Sequence, residues 1–162
     1  MSLTRAEQRE LAAADRHATE AAPGDRMPDG NLLDVAGQPT TLAAALSSRP
    51  GVIVFYRGGW CPYCNIALRA YQAQLVPALA EQGIPLVAIS PQSPDSDGAR
   101  AAQLQLGLDL TKVNADGTTT LPMPTVIIVD SAGVVRWIDV HADYTSRTEP
   151  DQVLRAIAQI IG

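Results

Sequence analysis

The sequence predicts an α/β fold, with helices flanking a central mixed β-sheet and an N-terminal helical extension in front of it. A β-branched and aromatic run at 52–56 is followed by two glycines and then by a helical pattern at 65–74. The next apolar run lies at 84–89. A strand, a helix and a second strand in this order indicate a β-α-β unit with adjacent parallel strands.

A hairpin signal makes the predicted sheet mixed. Two apolar runs, at 126–129 and 134–138, are joined by Asp130-Ser131-Ala132-Gly133, which is typical of a tight turn between antiparallel strands. One parallel crossover and one hairpin in the same domain predict strands of both directions.

The remaining predicted elements are set by apolar spacing and by breaker residues. They are a leading Ala-rich helix at 3–19, a strand at 31–35 that turns at 36–39, a short helix at 42–47 capped by Thr40 and Thr41, a helix at 99–106, a polar loop at 109–120 and a closing helix at 149–161.

Two helices carry further expectations. Pro77 is expected to interrupt the helix that follows 52–56, and Gly83 to end it. In the closing helix Pro150 lies in the first turn, and four apolar residues are expected on one face. These four are Val153, Ile157, Ile160 and Ile161.

Size and composition suit one globular domain. The chain has 162 residues, of which 46% are hydrophobic and 18% charged. We divide it into a helical extension at 1–22 and a folded domain at 23–162. The net charge of -5, without a Lys/Arg cluster, argues against nucleic acid or an anionic membrane as partner. No export signal or membrane span is recognisable, so we expect a cytoplasmic protein.

Both cysteines lie where the strand at 52–56 gives way to a helix. Cys61 falls at the helix N-terminus, where backbone N–H groups and the helix dipole can lower a thiol pKa from about 8.5 towards 3.5–7.5. Cys64 follows one turn later, close enough to form a disulfide with Cys61. A disulfide that closes so short a loop would add little to the stability of the fold. The spacing therefore predicts a redox-active dithiol with Cys61 as the attacking thiolate.

The segment around the cysteines resembles the thioredoxin superfamily. Trp60-Cys61-Pro62-Tyr63-Cys64 resembles the Trp-Cys-x-x-Cys of thioredoxin, with a Cys-Pro-Tyr-Cys centre like that of glutaredoxins. Met123-Pro124-Thr125 resembles the segment that holds a cis-proline beside the disulfide in such proteins. The resemblance implies a thioredoxin-like fold, a cis bond at Pro124, and a backbone at Met123 offered to an extended substrate.

More of the chain, from about Pro23 to Gly162, is similar to the peroxiredoxin-like branch of the alkyl hydroperoxide reductase and thiol-specific antioxidant family. The similar segments are Ala22-Pro23-Gly24-Asp25, Phe55-Tyr56-Arg57-Gly58-Gly59-Trp60, Val87-Ala88-Ile89-Ser90-Pro91, Val129-Asp130-Ser131-Ala132-Gly133-Val134-Val135-Arg136 and Ala142-Asp143-Tyr144-Thr145.

This second resemblance implies a different attacking thiol. Aligning Phe55-Tyr56 with the family signature Pro-x-x-x-Thr/Ser-x-x-Cys places Arg57 at the proline, Cys61 at the Thr/Ser and Cys64 at the peroxidatic cysteine. Cys64 would then attack peroxide, and Cys61 would resolve the sulfenic acid.

The chain departs from the family pattern at several points. The family carries an arginine near the start of the strand that ends in Asp130, and Pro124 holds the matching position; Arg57 is the candidate to replace it. The strand at 52–56 has no buried acid of the thioredoxin kind, and the segment before residue 121 is shorter than in relatives.

We expect a thiol oxidoreductase that favours dithiol-disulfide exchange through Cys61 and Cys64. The alternatives are a peroxidase with Cys64 as nucleophile, and a binding module with idle cysteines. The predicted supporting residues are Trp60, Pro62, Tyr63, Met123, Pro124, Thr125 and Arg57.

No bound organic cofactor is required. A metal site is disfavoured because His17 and His141 stand alone in the sequence, and a cluster shared by two chains is equally disfavoured. The expected partners are a disulfide or peroxide substrate, an external thiol reductant and a possible second copy in a homodimer.

Overall fold

The computed structural model describes residues 21–93, 115, 117 and 121–161. The predicted helices at 3–19 and 99–106, and all of the predicted loop at 109–120 except 115 and 117, lie outside the described residues.

A four-stranded mixed sheet forms the centre of the domain, in the order β4-β3-β5-β6. Its strands are β3 (Gly51–Phe55), β4 (Leu86–Ile89), β5 (Thr125–Val129) and β6 (Val135–Val140). β3 pairs parallel to β4 and antiparallel to β5, and β5 pairs antiparallel to β6. The predicted β-α-β unit, hairpin and mixed sheet are therefore confirmed.

β3 is central because it is apolar along its whole length. Four of its five residues are buried, as expected for a strand covered on both faces. Val52 and Val54 pack on one side, and Ile53 packs on the other, following the two-residue alternation of a strand.

A small antiparallel pair precedes the main sheet. It consists of β1 (Asn31–Leu33) and β2 (Pro39–Thr41). β1 ends two residues earlier than predicted because the Asp34 carboxylate accepts the backbone N–H groups of Ala36 and Gln38 and bends the chain.

The helices of the described chain flank the sheet. They are α1 (Leu42–Leu46), α2 (Pro62–Ala70), α3 (Val76–Glu81) and α4 (Pro150–Ile160), with a π-helical segment, Tyr71–Leu75, between α2 and α3. The Thr41 hydroxyl caps α1, as predicted, by accepting the Ala44 N–H at 3.1 Å.

The predicted break at Pro77 takes the form of a wider helical turn. Val76 donates its N–H to the Tyr71 carbonyl five residues earlier, and the helix then continues through Pro77. Because proline has no N–H to donate, the wider turn at this point costs the helix few backbone hydrogen bonds. The helix ends before Gly83, which has a positive φ of 69°.

Two apolar clusters lie on opposite faces of the sheet. One contains Leu75 of the π-helical segment and Leu79 of α3 together with Val153 and Ile157 of α4. The other packs α1 against Ile53 and its neighbours. Of the face predicted for α4, Ile160 is partly buried, but Ile161 lies past the helix end and is 38% exposed.

None of the helices in the described ranges is both long enough and apolar enough to cross a membrane.

Candidate active site

The two glycines after β3 turn the chain sharply into α2. Gly58 has φ +151°, and a Cβ built on it would lie 2.3 Å from Nε1 of Trp60. The Gly59 N–H donates to the Gln92 side chain at 2.8 Å, and its carbonyl accepts from the Asn65 side chain at 2.8 Å. These contacts place Cys61 as the N-cap of α2, at the carboxyl end of β3.

The two thiols are buried together. Cys61 is 2% exposed and Cys64 is 1% exposed, and both are free. Their side chains approach to 3.1 Å and share an S–H···S hydrogen bond. Disulfide formation therefore needs only a small movement.

Arg147 completes the site from the loop between β6 and α4. Its Nη2 lies 3.3 Å from Sγ of Cys64 and 3.9 Å from Sγ of Cys61. The loop carbonyls of Tyr144 and Ser146 accept from its Nη1. Arg147 is not among the predicted site residues because it lies 83 residues from Cys64 and outside the position at which the family carries its arginine.

The pKa values of the two thiols move in opposite directions. Burial raises the pKa of Cys61, and the charge of a Cys64 thiolate raises it further. Burial also opposes ionisation of Cys64. However, hydrogen bonds from the Cys61 thiol, the Arg57 backbone N–H and the Arg147 guanidinium outweigh it and lower the Cys64 pKa.

The prediction that Cys61 has the lowered pKa is therefore wrong. Cys61 is the N-cap residue of α2, and the Cys64 backbone N–H and the Arg147 charge do lower its pKa, but burial and the neighbouring Cys64 side chain outweigh them. The three donors to Cys64 favour its ionised form, so the lowered pKa belongs to the thiol one turn into the helix.

The Arg57 side chain points into an aromatic cluster. Its guanidinium carbon lies 5.5 Å from the ring centroid of Trp60 and 4.6 Å from that of Tyr144. Tyr144 also meets Tyr63 edge to face, with centroids 6.0 Å apart. It is the backbone of Arg57, and the side chain of Arg147, that reach Cys64.

The other predicted residues of the Cys-x-x-Cys segment lie around the thiols. Pro62 begins α2, and Tyr63 is 43% exposed at the surface. Trp60 Nε1 is buried and has no hydrogen-bond partner among the described residues.

The predicted cis bond at Pro124 is wrong, because the described residues contain no cis peptide. The trans form is favoured by about 0.5–1 kcal/mol for X–Pro bonds in general. Here the Thr125 hydroxyl donates to the Met123 carbonyl at 2.9 Å, and the His141 N–H donates to the Pro124 carbonyl at 2.9 Å. Pro124 lies in this trans segment beside Cys64.

Arg147 borders both a small cavity and a larger groove. The cavity, of about 10 Å³, is bordered by Cys64, Phe55 and Pro124. Such a volume accepts about one water-sized molecule. The groove, of about 330 Å³, is lined by residues that include Tyr63 and Ile66. Arg147 lines both spaces, together with Tyr71 and Thr148.

The described residues contain no group of three His, Cys, Asp or Glu side chains that could hold a metal ion.

Solved structures support the fold. Peroxidoxin BcpB from Mycobacterium tuberculosis is 22% identical, covering 87% of this chain and 99% of its own, with a TM-score of 0.59. A peroxiredoxin-like protein from Aquifex aeolicus is 16% identical, covering 87% and 88%, with a TM-score of 0.63. The thio-disulfide isomerase from Thermus thermophilus is 25% identical, covering 86% and 96%, with a TM-score of 0.52. These structures confirm the thioredoxin-like fold.

No curated protein sequence matches the chain significantly. The model of the AhpC/TSA family matches residues 23–138, which is most of the chain and includes both cysteines. Sequence resemblance, fold and paired thiols therefore agree, and the chain belongs to the AhpC/TSA family.

Proposed function

We propose that the protein reduces peroxides, with Cys64 as the attacking thiolate and Cys61 as the resolving thiol. The observation that carries this proposal is the Arg147 guanidinium, whose Nη2 lies 3.3 Å from the Cys64 sulfur. A cation at this distance favours the thiolate and can also donate to a peroxide oxygen. Membership of the AhpC/TSA family and the paired thiols support thiol-dependent redox chemistry in general.

The proposed reaction has two chemical steps. The Cys64 thiolate attacks one peroxide oxygen, the O–O bond breaks, and an alcohol or water leaves after taking a proton. Cys64 is then a sulfenic acid. The Cys61 sulfur attacks the Cys64 sulfur, an S–S bond forms, and the sulfenic oxygen leaves as water. An external dithiol reduces this disulfide by exchange and becomes oxidised itself.

Geometry around Cys64 supports a small substrate. The cavity beside its sulfur is close to the size of one water molecule, and both thiols are nearly fully buried. Hydrogen peroxide approaches this size, whereas a protein disulfide would need the surrounding loops to open.

Dithiol-disulfide exchange, with Cys61 attacking, is the second candidate. Cys61 is the first residue of a Cys-x-x-Cys pair and caps α2, beside the exposed ring of Tyr63. One structural neighbour is named a thio-disulfide isomerase. The raised pKa of Cys61 weighs against this candidate because less of its thiol is ionised near neutral pH.

Wild type, Cys61→Ser and Cys64→Ser should be compared with one reductant, dithiothreitol, in two assays. These measure hydrogen peroxide consumption and reduction of a peptide disulfide, and dimedone traps any sulfenic acid. We expect Cys61→Ser to accumulate sulfenic acid at Cys64, and Cys64→Ser to lose peroxide consumption.

Three results would contradict the proposal in different ways. Peroxide consumption retained by Cys64→Ser would show that Cys64 is not the nucleophile. Disulfide reduction lost in Cys61→Ser, with no peroxide consumption in wild type, would favour exchange. Wild-type activity in both variants would leave a protein whose cysteines are idle.

An external thiol reductant, a homodimer and a cytoplasmic location also belong to this proposal. So does the division into an extension at 1–22 and a domain at 23–162.

A further inference from the structure

Arg147 lacks the partner that usually holds an arginine in place. No carboxylate in the described part of the chain pairs with it; its acceptors there are two loop carbonyls and the two sulfurs. A free arginine side chain loses rotamer entropy when it is fixed. The loop backbone must therefore be held firmly for the guanidinium to stay at Cys64.

Thr148, the next residue, is hydrogen-bonded through both its hydroxyl and its carbonyl group. It is 3% exposed, and it is the buried polar residue of the described chain. Its hydroxyl donates to Oδ2 of Asp139 at 2.8 Å, and its carbonyl accepts the Tyr71 hydroxyl at 2.6 Å. Asp139 belongs to β6, so the hydroxyl bond fixes the loop to the sheet.

Tyr71 connects the same loop to the helix that carries Cys64. It begins the π-helical segment, two turns after Cys64, and its ring is 2% exposed. Residues seven apart lie on one face of a helix, so Cys64 and Tyr71 face the same loop. The hydroxyl bond of Tyr71 therefore sets the distance between the loop and the cysteine helix.

Asp139 has one further partner. Nε2 of His141 lies 3.0 Å from the same Oδ2 that accepts the Thr148 hydroxyl. The carboxylate is thus held from both sides, and its position on β6 is well defined.

We infer that Tyr71, Thr148 and Asp139 are positioning residues that hold the Arg147 guanidinium against the Cys64 sulfur. Among the described residues, none of the three is hydrogen-bonded to either sulfur; they act through Arg147. This inference rests on the proposed function in that Cys64 is taken as the nucleophile. It adds a hydrogen-bonded clamp on the loop that supplies the cation, at a place in the chain where the family signature has no counterpart.

The test measures the ionisation of Cys64 without any peroxide. In a Cys61→Ser background, the ultraviolet absorbance of the thiolate is followed against pH, and the same protein carrying Cys64→Ser supplies the tyrosine background. Tyr71→Phe removes one hydroxyl and keeps the buried ring. Thr148→Val removes the other hydroxyl and keeps its shape. Thr40→Val, in β2, is the matched control.

We expect the Cys64 midpoint to rise by about 1 pH unit in Tyr71→Phe and in Thr148→Val, as for the partial loss of a nearby opposite charge. Thr40→Val should leave it unchanged. Combined with Arg147→Gln, neither variant should raise the midpoint further, since both act through the guanidinium.

Two results would overturn the inference. One is a midpoint in Tyr71→Phe and Thr148→Val equal to that of Thr40→Val. The other is the same rise with and without Arg147, which would indicate a general effect on the fold. If the midpoints behave as expected but wild type consumes no peroxide, the proposed function fails and the positioning role stands.

Discussion

Cys61 and Cys64 have nearly the same burial, yet their pKa values shift in opposite directions. The difference lies in what each sulfur contacts. Cys64 accepts from the Cys61 thiol, the Arg57 N–H and the Arg147 guanidinium. Cys61 accepts from the Cys64 backbone N–H, but burial and the Cys64 side chain outweigh that bond. Position at a helix start is therefore not enough to set the pKa of a thiol here. Burial outweighs it at Cys61, whereas at Cys64 the combined donors, among them Arg147 from a distant segment, outweigh burial.

Replacing Arg147 tests whether its guanidinium contributes to the reactivity of Cys64. Arg147→Gln should slow the reaction of Cys64 with hydrogen peroxide by about 10- to 1000-fold, because a charge-assisted donor is lost. Arg147→Lys keeps the charge without the planar fork and should fall between Gln and wild type. Stopped-flow fluorescence measures the rates. Equal rates for Gln and wild type would remove Arg147 from the mechanism.

Gly58 allows a second test at the residue scale. Gly58→Ala should destabilise the fold by on the order of 1–3 kcal/mol and displace Trp60, because its φ is +151° and the new Cβ would lie 2.3 Å from the indole nitrogen. Gly59→Ala is the matched control, since its nearest atom would be 3.6 Å away. Urea unfolding followed by tryptophan fluorescence compares them. Similar losses in both variants would contradict the explanation.

At the scale of elements, one helical run connects the thiols to the core. α2 carries the cysteines, the π-helical segment presents Tyr71 to the loop of Arg147, and α3 packs on the sheet. The wider turn matters because it lets Val76 bond to Tyr71 just before Pro77. The residues that shape this helical run therefore also position the thiols relative to the loop of Arg147.

Leu75, the last residue of the π-helical segment, anchors this run. Its side chain is fully buried, so Leu75→Ala should lower the free energy of unfolding by about 2–5 kcal/mol through lost burial and a cavity. The neighbouring Gln74 is exposed, and Gln74→Ala should change stability by no more than about 0.5 kcal/mol. Thermal and urea unfolding measure both. Comparable losses would show that the segment is not anchored through Leu75.

At the scale of the whole molecule, the buried Tyr71 hydroxyl makes stability depend on alkaline pH. Burial raises its pKa from 10.0 to about 12. Between these values the native state holds a proton that the unfolded chain has lost, so the stabilisation is complete below pH 10 and disappears as pH approaches 12.

In the reduced protein, the free energy of unfolding should therefore fall by about 2–3 kcal/mol over this window because of Tyr71 alone. Tyr71→Phe should be less stable at neutral pH, and it should lack this part of the decline. Urea unfolding at a series of pH values, with the two proteins measured side by side, gives the difference. Parallel curves from pH 10 to 12 would contradict the shift.

Local sequence was sufficient for much of the fold and for the two thiols. The runs at 52–56 and 126–129 and the turn at Asp130–Gly133 predicted a mixed sheet, because strand alternation and turn chemistry act between near neighbours. The Cys-x-x-Cys spacing likewise placed Cys61 and Cys64 on one helical turn.

What local sequence could not predict was which groups from distant segments surround the sulfurs. Arg147 reaches Cys64 only because β6 and α4 bring their connecting loop over the cysteine helix, and Thr148 holds it there. By itself, the sequence determined that this chain is a thioredoxin-like domain with a dithiol at a helix start. The tertiary structure decided which donors surround each sulfur, and the pKa of a buried thiol depends on the donors packed around it.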